Sequence, residues 1–288
     1  MSAAALADVV AVRVPERSWR SEGRAVRAVW RRDMIRFADD RVRIVTALIQ
    51  PLLFLFVLAP GLQTLSEAST DGVELTTFMF PGVLCMAMWF SAMISAASLV
   101  MDRELGFLRE MVVAPVRRSS IVLGKCLGGM TVATIQGTIL LALAGLAGVP
   151  YDPVLLLGIF GLQLLIAFTV TALGLMVATT IRRAPTFNSV MQALLFPMIF
   201  LSGAMYPVSG LPIWLGVLNR LNPLTYAVDP VRRFVFDHLD ISEAAQRRLA
   251  PGVTWWGWRV PTLVEVGIVL ALGLAMMAVA ISRFARTE

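Results

Sequence analysis

The chain is 288 residues long and 58% hydrophobic, with a mean hydropathy of +0.77. Soluble domains are about 45–50% apolar, so the composition excludes a soluble globular protein. A net charge of +6 could mark a nucleic-acid binder in a soluble chain, but here the charges lie between apolar blocks and nucleic acid is not an expected partner.

Residues 1–43 carry ten arginines. Ala3 to Val14 is mildly apolar, yet no basic stretch precedes it, so no cleavable signal peptide is expected. Val26, Val29, Trp30, Met34 and Phe37 then recur at helical spacing, with Arg24, Arg27, Arg31, Arg32 and Arg36 elsewhere on the wheel. That pattern predicts an amphipathic helix lying in the membrane interface, or else a basic helix that docks on a soluble partner. Six apolar blocks follow at about 44–62, 76–100, 120–148, 153–181, 187–206 and 262–284. Each has the roughly 20-residue length that crosses about 30 Å of hydrocarbon as a helix. None alternates as a membrane β-strand would. Pro51, Pro197 and the Gly/Pro cluster at 203–212 are expected to kink or break helices.

The charges between the blocks set an orientation. The segment after the first span holds Glu67, Asp71 and Glu74 and no basic residue, and the one after the third holds only Asp152. The segments after the second and fourth spans carry Arg103, Arg109, Arg117, Arg118 and Lys125, then Arg182 and Arg183. Placing these and both tails in the cytoplasm puts most basic residues inside, so N- and C-termini are expected on the cytoplasmic face of a bacterial inner membrane. The long segment 207–261 then lies outside. Within it, 211–226 is too short and Pro-rich to span, and reads as a re-entrant hairpin or an amphipathic outer cap. A soluble-like stretch follows, with Arg232, Arg233, Asp237, His238, Asp240, Glu243, Arg247 and Arg248, and three tryptophans precede the sixth span. The expected fold class is therefore an all-α integral membrane protein with six transmembrane helices, an N-terminal interfacial helix, a cytoplasmic coupling helix and an outer re-entrant segment. Its regions are residues 1–43, a tail with the interfacial helix, and 44–288, the transmembrane domain, with a coupling segment at 101–119.

Much chemistry is missing. His238 is the only histidine, and two cysteines, Cys85 and Cys126, make no metal cluster or disulfide framework. No phosphate-binding loop is present: Cys126 follows Gly124 and Lys125, and Ser119 occupies the place of its first glycine. The chain is expected to bind no cofactor and to hydrolyse no ATP. The spans hold Gln50, Gln136, Gln163, Asn188 and Gln192 but no central ionisable group, which argues against an ion-coupled carrier. Energy for any uphill transport would enter through a partner.

Residues 101–119 read MDRELGFLREMVVAPVRRS. Leu105, Leu108, Met111 and Val112 form a short apolar face, Asp102, Arg103, Glu104, Arg109 and Glu110 a charged one, and Pro115 ends the helix. Such a helix either docks in a groove of a soluble partner or merely links two spans. Asp102, Arg103, Glu104, Gly106, Leu108, Pro115, Arg118, Gly124 and Lys125 match a pattern between the second and third helices of the permease subunits of type 2 ABC exporters. A second match runs through Ser202, Gly203, Pro207, Leu211, Pro212, Asn222, Pro223, Leu224, Thr225, Tyr226 and Arg232. The chain thus resembles that family over nearly its whole length, and its coupling segment is most similar to the bacterial drug-resistance branch. Arg109, where many members carry an acidic residue, departs from the pattern. The resemblance implies a coupling surface at 102–115 and an outer motif at 203–226. It also implies a dimer of this chain or of similar chains, bound to two ATPase subunits that hold ATP and Mg. The implied function is export of a hydrophobic or amphipathic compound, with a lipid or glycan as the alternative cargo. A non-transporting assembly or sensor subunit is the further alternative.

Overall fold

A computed structural model describes residues 19–66, 73–106, 117–206, 212–255 and 257–287. Helix α1 (Trp19–Asp39) precedes a continuous helical run made of α2 (Arg41–Leu53), a π-helical turn (Phe54–Leu58) and α3 (Ala59–Ser66). Then come α4 (Leu75–Glu104), α5 (Arg118–Ala142), a 3₁₀ turn (Ala144–Ala147), α6 (Pro153–Ala178) and α7 (Ala184–Leu201). The final stretch comprises α8 (Ile213–Leu221), α9 (Pro223–Phe236), α10 (Glu243–Leu249), a two-residue-per-strand hairpin and α11 (Thr262–Thr287). The hairpin pairs Thr254 with Arg259 and Trp255 with Trp258. Six helical segments are long and apolar enough to cross a membrane: Ile44–Gln63, Leu75–Glu104, Arg118–Ala142, Pro153–Ala178, Ala184–Leu201 and Thr262–Arg286. The protein is an all-α integral membrane protein.

The core is organised around α4, which packs against α2, α3, α5, α6, α7 and α9. Its hydrophobic window is 78% buried, against 22% for the first and fifth spans, so those two present most of their surface to lipid or to another chain. Small residues bring the helices close. A Cβ on Gly82 would sit 2.5 Å from the Ala204 Cβ, and one on Gly174 2.7 Å from that of Ala96. Both cysteines are buried and free.

The prolines act differently from one another. Pro51 withholds a donor from the Ala47 carbonyl, yet the helix does not break; it widens into the π turn three residues later. α7 continues through Pro197 and ends at Leu201, five residues before its expected limit. The cause is Gly203, with φ +72°, and two amides that take over the helix's last carbonyls. Asn219 Nδ2 donates to the Leu201 carbonyl at 2.7 Å and Asn222 Nδ2 to that of Met198 at 2.6 Å.

One expectation gains a packing partner and another changes. The amphipathic face of α1 is turned onto α5: Val29 and Phe37 are buried, and Trp30 Nε1 donates to Thr131 Oγ1 at 3.1 Å. The stretch after 226 is not soluble-like where Arg232 and Arg233 lie. Both are buried on α9, which packs against α4, α6 and α11. The apolar residues of α8, Ile213, Trp214, Val217, Leu218 and Leu221, remain exposed instead.

Candidate functional site

The coupling segment begins where α4 ends. Met101, Asp102, Arg103, Glu104 and Gly106 are described, whereas Leu108, Arg109, Glu110 and Pro115 lie outside the described residues. The three charged positions form no common free face, because helix periodicity points each in a different direction and each meets a partner within the chain. Asp102 turns into the bundle, where its side chain is 1% exposed. Its carboxylate pairs with Lys125 at 2.8 Å, Arg36 at 2.9 Å and Arg32 at 2.5 Å. Lys125, itself fully buried, also reaches Asp33 at 3.0 Å and donates to Ser98 Oγ at 2.8 Å. Arg103 turns to the neighbouring loop and donates to the carbonyls of Ile181 at 3.1 Å and Ala178 at 3.3 Å. Glu104 accepts from the Ala184 N–H at 3.0 Å, satisfying one of the orphan donors at the start of α7.

Beside the exposed Glu104, the end of α4 presents an apolar pair. Met101 is 50% exposed and Leu105 65% exposed, four residues apart and therefore on one face. Gly106 closes the helix with φ +79°, a conformation that favours glycine.

The same end of the bundle is tied to α1. Glu22 accepts from the Arg117 N–H at 3.0 Å and from Ser120 Oγ, so its negative charge sits at the N-terminus of α5. Gly124 and Gly128 leave room for α1: added Cβ atoms would lie 2.7 Å from the Val29 Cβ and 3.0 Å from an Asp33 oxygen. The Gly124–Lys125 pair of the sequence pattern is thus a seat for α1, glycine for closeness and lysine for charge. Composition marked Lys125 as unusual only through being the single lysine; its partners on α1 and α4 lie 92 and 23 residues away and leave no local signal.

The second motif gathers at the opposite end. Asn222 caps α9 by accepting from Leu224 N–H at 3.0 Å, with Pro223 in the first helical position and Pro212 before α8. Thr225 Oγ1 donates to the Asn219 carbonyl, Tyr226 Oη to that of Arg220, and Trp255 Nε1 to Tyr226 Oη. Arg232 reaches back to the Gly203 carbonyl at 2.7 Å and lies 4.2 Å from the centre of the Phe78 ring. Burial, only partly opposed by Asp229, pushes the Arg232 guanidinium down to about 10, which leaves it charged at neutral pH. Pro207 lies outside the described residues. Gly203, Asn222, Tyr226 and Arg232 are therefore bonded among neighbouring elements, closing the turn from α7 into α9. Among the described residues no group of three or more His, Cys, Asp or Glu side chains could hold a metal. Sequence reasoning missed the charged set Asp229, Arg233 and Glu265, which joins α9 to α11. Arg233 Nη2 pairs with Asp229 at 2.6 Å and Glu265 at 2.9 Å.

Residues 24–236, which hold both motifs, match the family described as ABC-2 type transporter. The chain is 28% identical over 204 residues to the putative transport permease ycf38 of Cyanophora paradoxa, covering 68% of this chain and 69% of that one. It is 27% identical over 215 residues to nodulation protein J of Rhizobium leguminosarum bv. trifolii, covering 73% and 81%. It is 29% identical over 154 residues to the probable multidrug ABC transporter permease YbhR of Escherichia coli (strain K12), covering 53% of this chain and 42% of that one.

Proposed function

This chain belongs to the ABC-2 type transporter family and is a transport subunit; from that premise we propose that it is the membrane half of an ATP-driven exporter of a hydrophobic or amphipathic, drug-like compound. ATP and its Mg reside in two separate ATPase subunits, and two copies of this chain, or this chain and a similar one, form the membrane dimer. The drug-like cargo is favoured by similarity to a permease named as a multidrug transporter. The observation that carries the mechanism is the exposed apolar pair Met101 and Leu105 at the end of α4, the most buried span. Asp102, Arg103 and Glu104 lock that end to α1, α5, α7 and the loop before α7, so a partner pressing on Met101 and Leu105 would move a rigid lever rather than a loose loop. In this reading the matched Asp, Arg and Glu support the docking surface, and Leu105, with Leu108, Arg109, Glu110 and Pro115 beyond it, meets the ATPase.

The test is Leu105→Asp in the full chain co-expressed with its ATPase. Placing a charge in an apolar contact should reduce ATPase co-purification and export about tenfold or more, with membrane insertion unchanged. Asp240→Asn, exposed at the opposite end, should change neither. Full export and retained ATPase in Leu105→Asp would remove the docking surface from this position.

A further inference from the structure

A cavity of about 430 Å³ lies where α8, α9 and the hairpin meet, a volume within the range of small-ligand sites. Val217, Arg220 and Leu221 of α8 form one side of it, and Tyr226 of α9 with Trp255 of the hairpin form the other. Tyr226 and Trp255 stand edge to face with ring centres 6.3 Å apart, and Trp258 continues the aromatic row 6.1 Å beyond Trp255.

The polar atoms of this wall are already engaged. Trp255 Nε1 donates to Tyr226 Oη at 2.9 Å, and Tyr226 Oη donates to the Arg220 carbonyl at 2.7 Å. Asn219, beside Arg220, donates to the Leu201 carbonyl and accepts from Thr225 Oγ1 through its own carbonyl. The Arg220 guanidinium is the exception: the residue is exposed and its side chain makes no hydrogen bond or ion pair to any described residue. One cation over an apolar and aromatic surface selects a ligand with an anionic group on an apolar body.

The position of the cavity narrows the choice. Asn219 and Asn222 hold the α8–α9 turn against Leu201 and Met198 in the last turn of the fifth span, and Trp255 stands shortly before the sixth. The cavity is therefore level with an edge of the bilayer, where tryptophan and tyrosine are favoured and acyl chains meet phosphate groups. Ile213, Trp214 and Leu218 carry the exposed apolar face of α8 onward from the cavity. A molecule with hydrocarbon chains covers that face, whereas a compact soluble anion leaves it bare. A zwitterionic lipid brings its own cation beside the phosphate and gains less from Arg220.

We propose that this cavity is a binding site for an anionic phospholipid, with its phosphate on Arg220 and its acyl chains over Val217, Leu221 and the exposed face of α8. The bonded Tyr226–Trp255 wall sets the width of the site, and the lipid in turn braces the α8–α9 turn. The site rests on geometry independent of the transport reading and would stand if the cargo were a lipid or glycan.

The experiment places the full chain in phosphatidylcholine nanodiscs with a trace of phosphatidylglycerol or phosphatidylcholine carrying a diazirine on one acyl chain. Light attaches the lipid, and mass spectrometry maps the labelled residues. Wild type should be labelled within 217–226 and at Trp255 about tenfold more by the phosphatidylglycerol analogue than by the other. Arg220→Gln should reduce the first to the level of the second and leave labelling of the other spans unchanged, which shows that chain and lipid are both in place. Val217→Trp, which fills the cavity, should remove both. Equal labelling by the two analogues in wild type, or undiminished labelling in Arg220→Gln, overturns the proposal. So does an absence of label there in wild type, the result if a second copy covers α8. Unlabelled phosphatidylglycerol should displace the label; displacement by glycerol phosphate alone would assign the cavity to a soluble anion and overturn the lipid. If the variants fail to insert, the wild-type comparison and the displacement decide by the same outcomes.

Discussion

Lys125 is the residue on which the termini-bearing end of the bundle converges. Its ammonium, from α5, meets Asp102 from α4 and Asp33 from α1, joining three helices through one buried charge. Breaking a buried pair by removing one partner costs about 3–5 kcal/mol, because the remaining charge is left uncompensated. Lys125→Met should fall near the lower end, since Arg32 and Arg36 still serve Asp102. Asp33→Asn combined with Lys125→Met should be less destabilised than the sum of the single changes, by about 0.5–3 kcal/mol. Unfolding of wild type and the three variants in one lipid mixture measures this, and strict additivity would show that Lys125 and Asp33 do not interact energetically. On a smaller scale, the exposed Glu104 also accepts from the Ala184 N–H at the start of α7.

At the scale of elements, α1 is held by closeness as much as by charge. A side chain at Gly124 would meet the Val29 Cβ at 2.7 Å and the Val26 carbonyl oxygen at 2.9 Å, and the oxygen is backbone that cannot rotate away. Gly124→Leu should lift α1 from α5. Overpacking typically costs about 1–3 kcal/mol, so tryptic cleavage at Arg27 and Arg31 should accelerate about tenfold or more. Gly161→Leu, where nothing lies within 4 Å, is the control and should leave cleavage unchanged. Equal cleavage rates in the two variants would mean that α1 does not depend on this seat. The amphipathic pattern of α1 was legible from residues, but its packing partner was not: nothing along the chain pairs Val29 and Asp33 with the facing glycines Gly124 and Gly128 of α5. Likewise the Asn-Pro at 222–223 and Asp-Pro at 152–153 could be read directly as helix starts, because capping is local.

For the whole molecule, six spans place Arg183 at the end shared with α1 and Asp240 at the other. In the orientation proposed from the one-sided distribution of arginine, the first of these faces the inside of the cell. In a background lacking Cys85 and Cys126, Asp240→Cys should react with an impermeant thiol reagent on intact cells. Arg183→Cys should react only after lysis. The reverse pattern would invert the orientation. The exposed surfaces of the first and fifth spans, each only 22% buried across its hydrophobic window, are the faces on which a second chain has room to pack.

The sequence by itself determined the membrane class, the six spans and the family, because hydrophobic length and short motifs are local properties that survive without coordinates. Only the tertiary structure decided what most motif residues do. Asp102, Lys125, Gly203 and Arg232 look like surface chemistry when read in order, yet each is buried against a residue tens of positions away. Hydropathy counted Arg232 and Arg233 as marks of a soluble stretch, since a charge registers as polar whatever surrounds it. A buried charge is tolerated when a distant partner compensates it, and no window along the chain contains that partner.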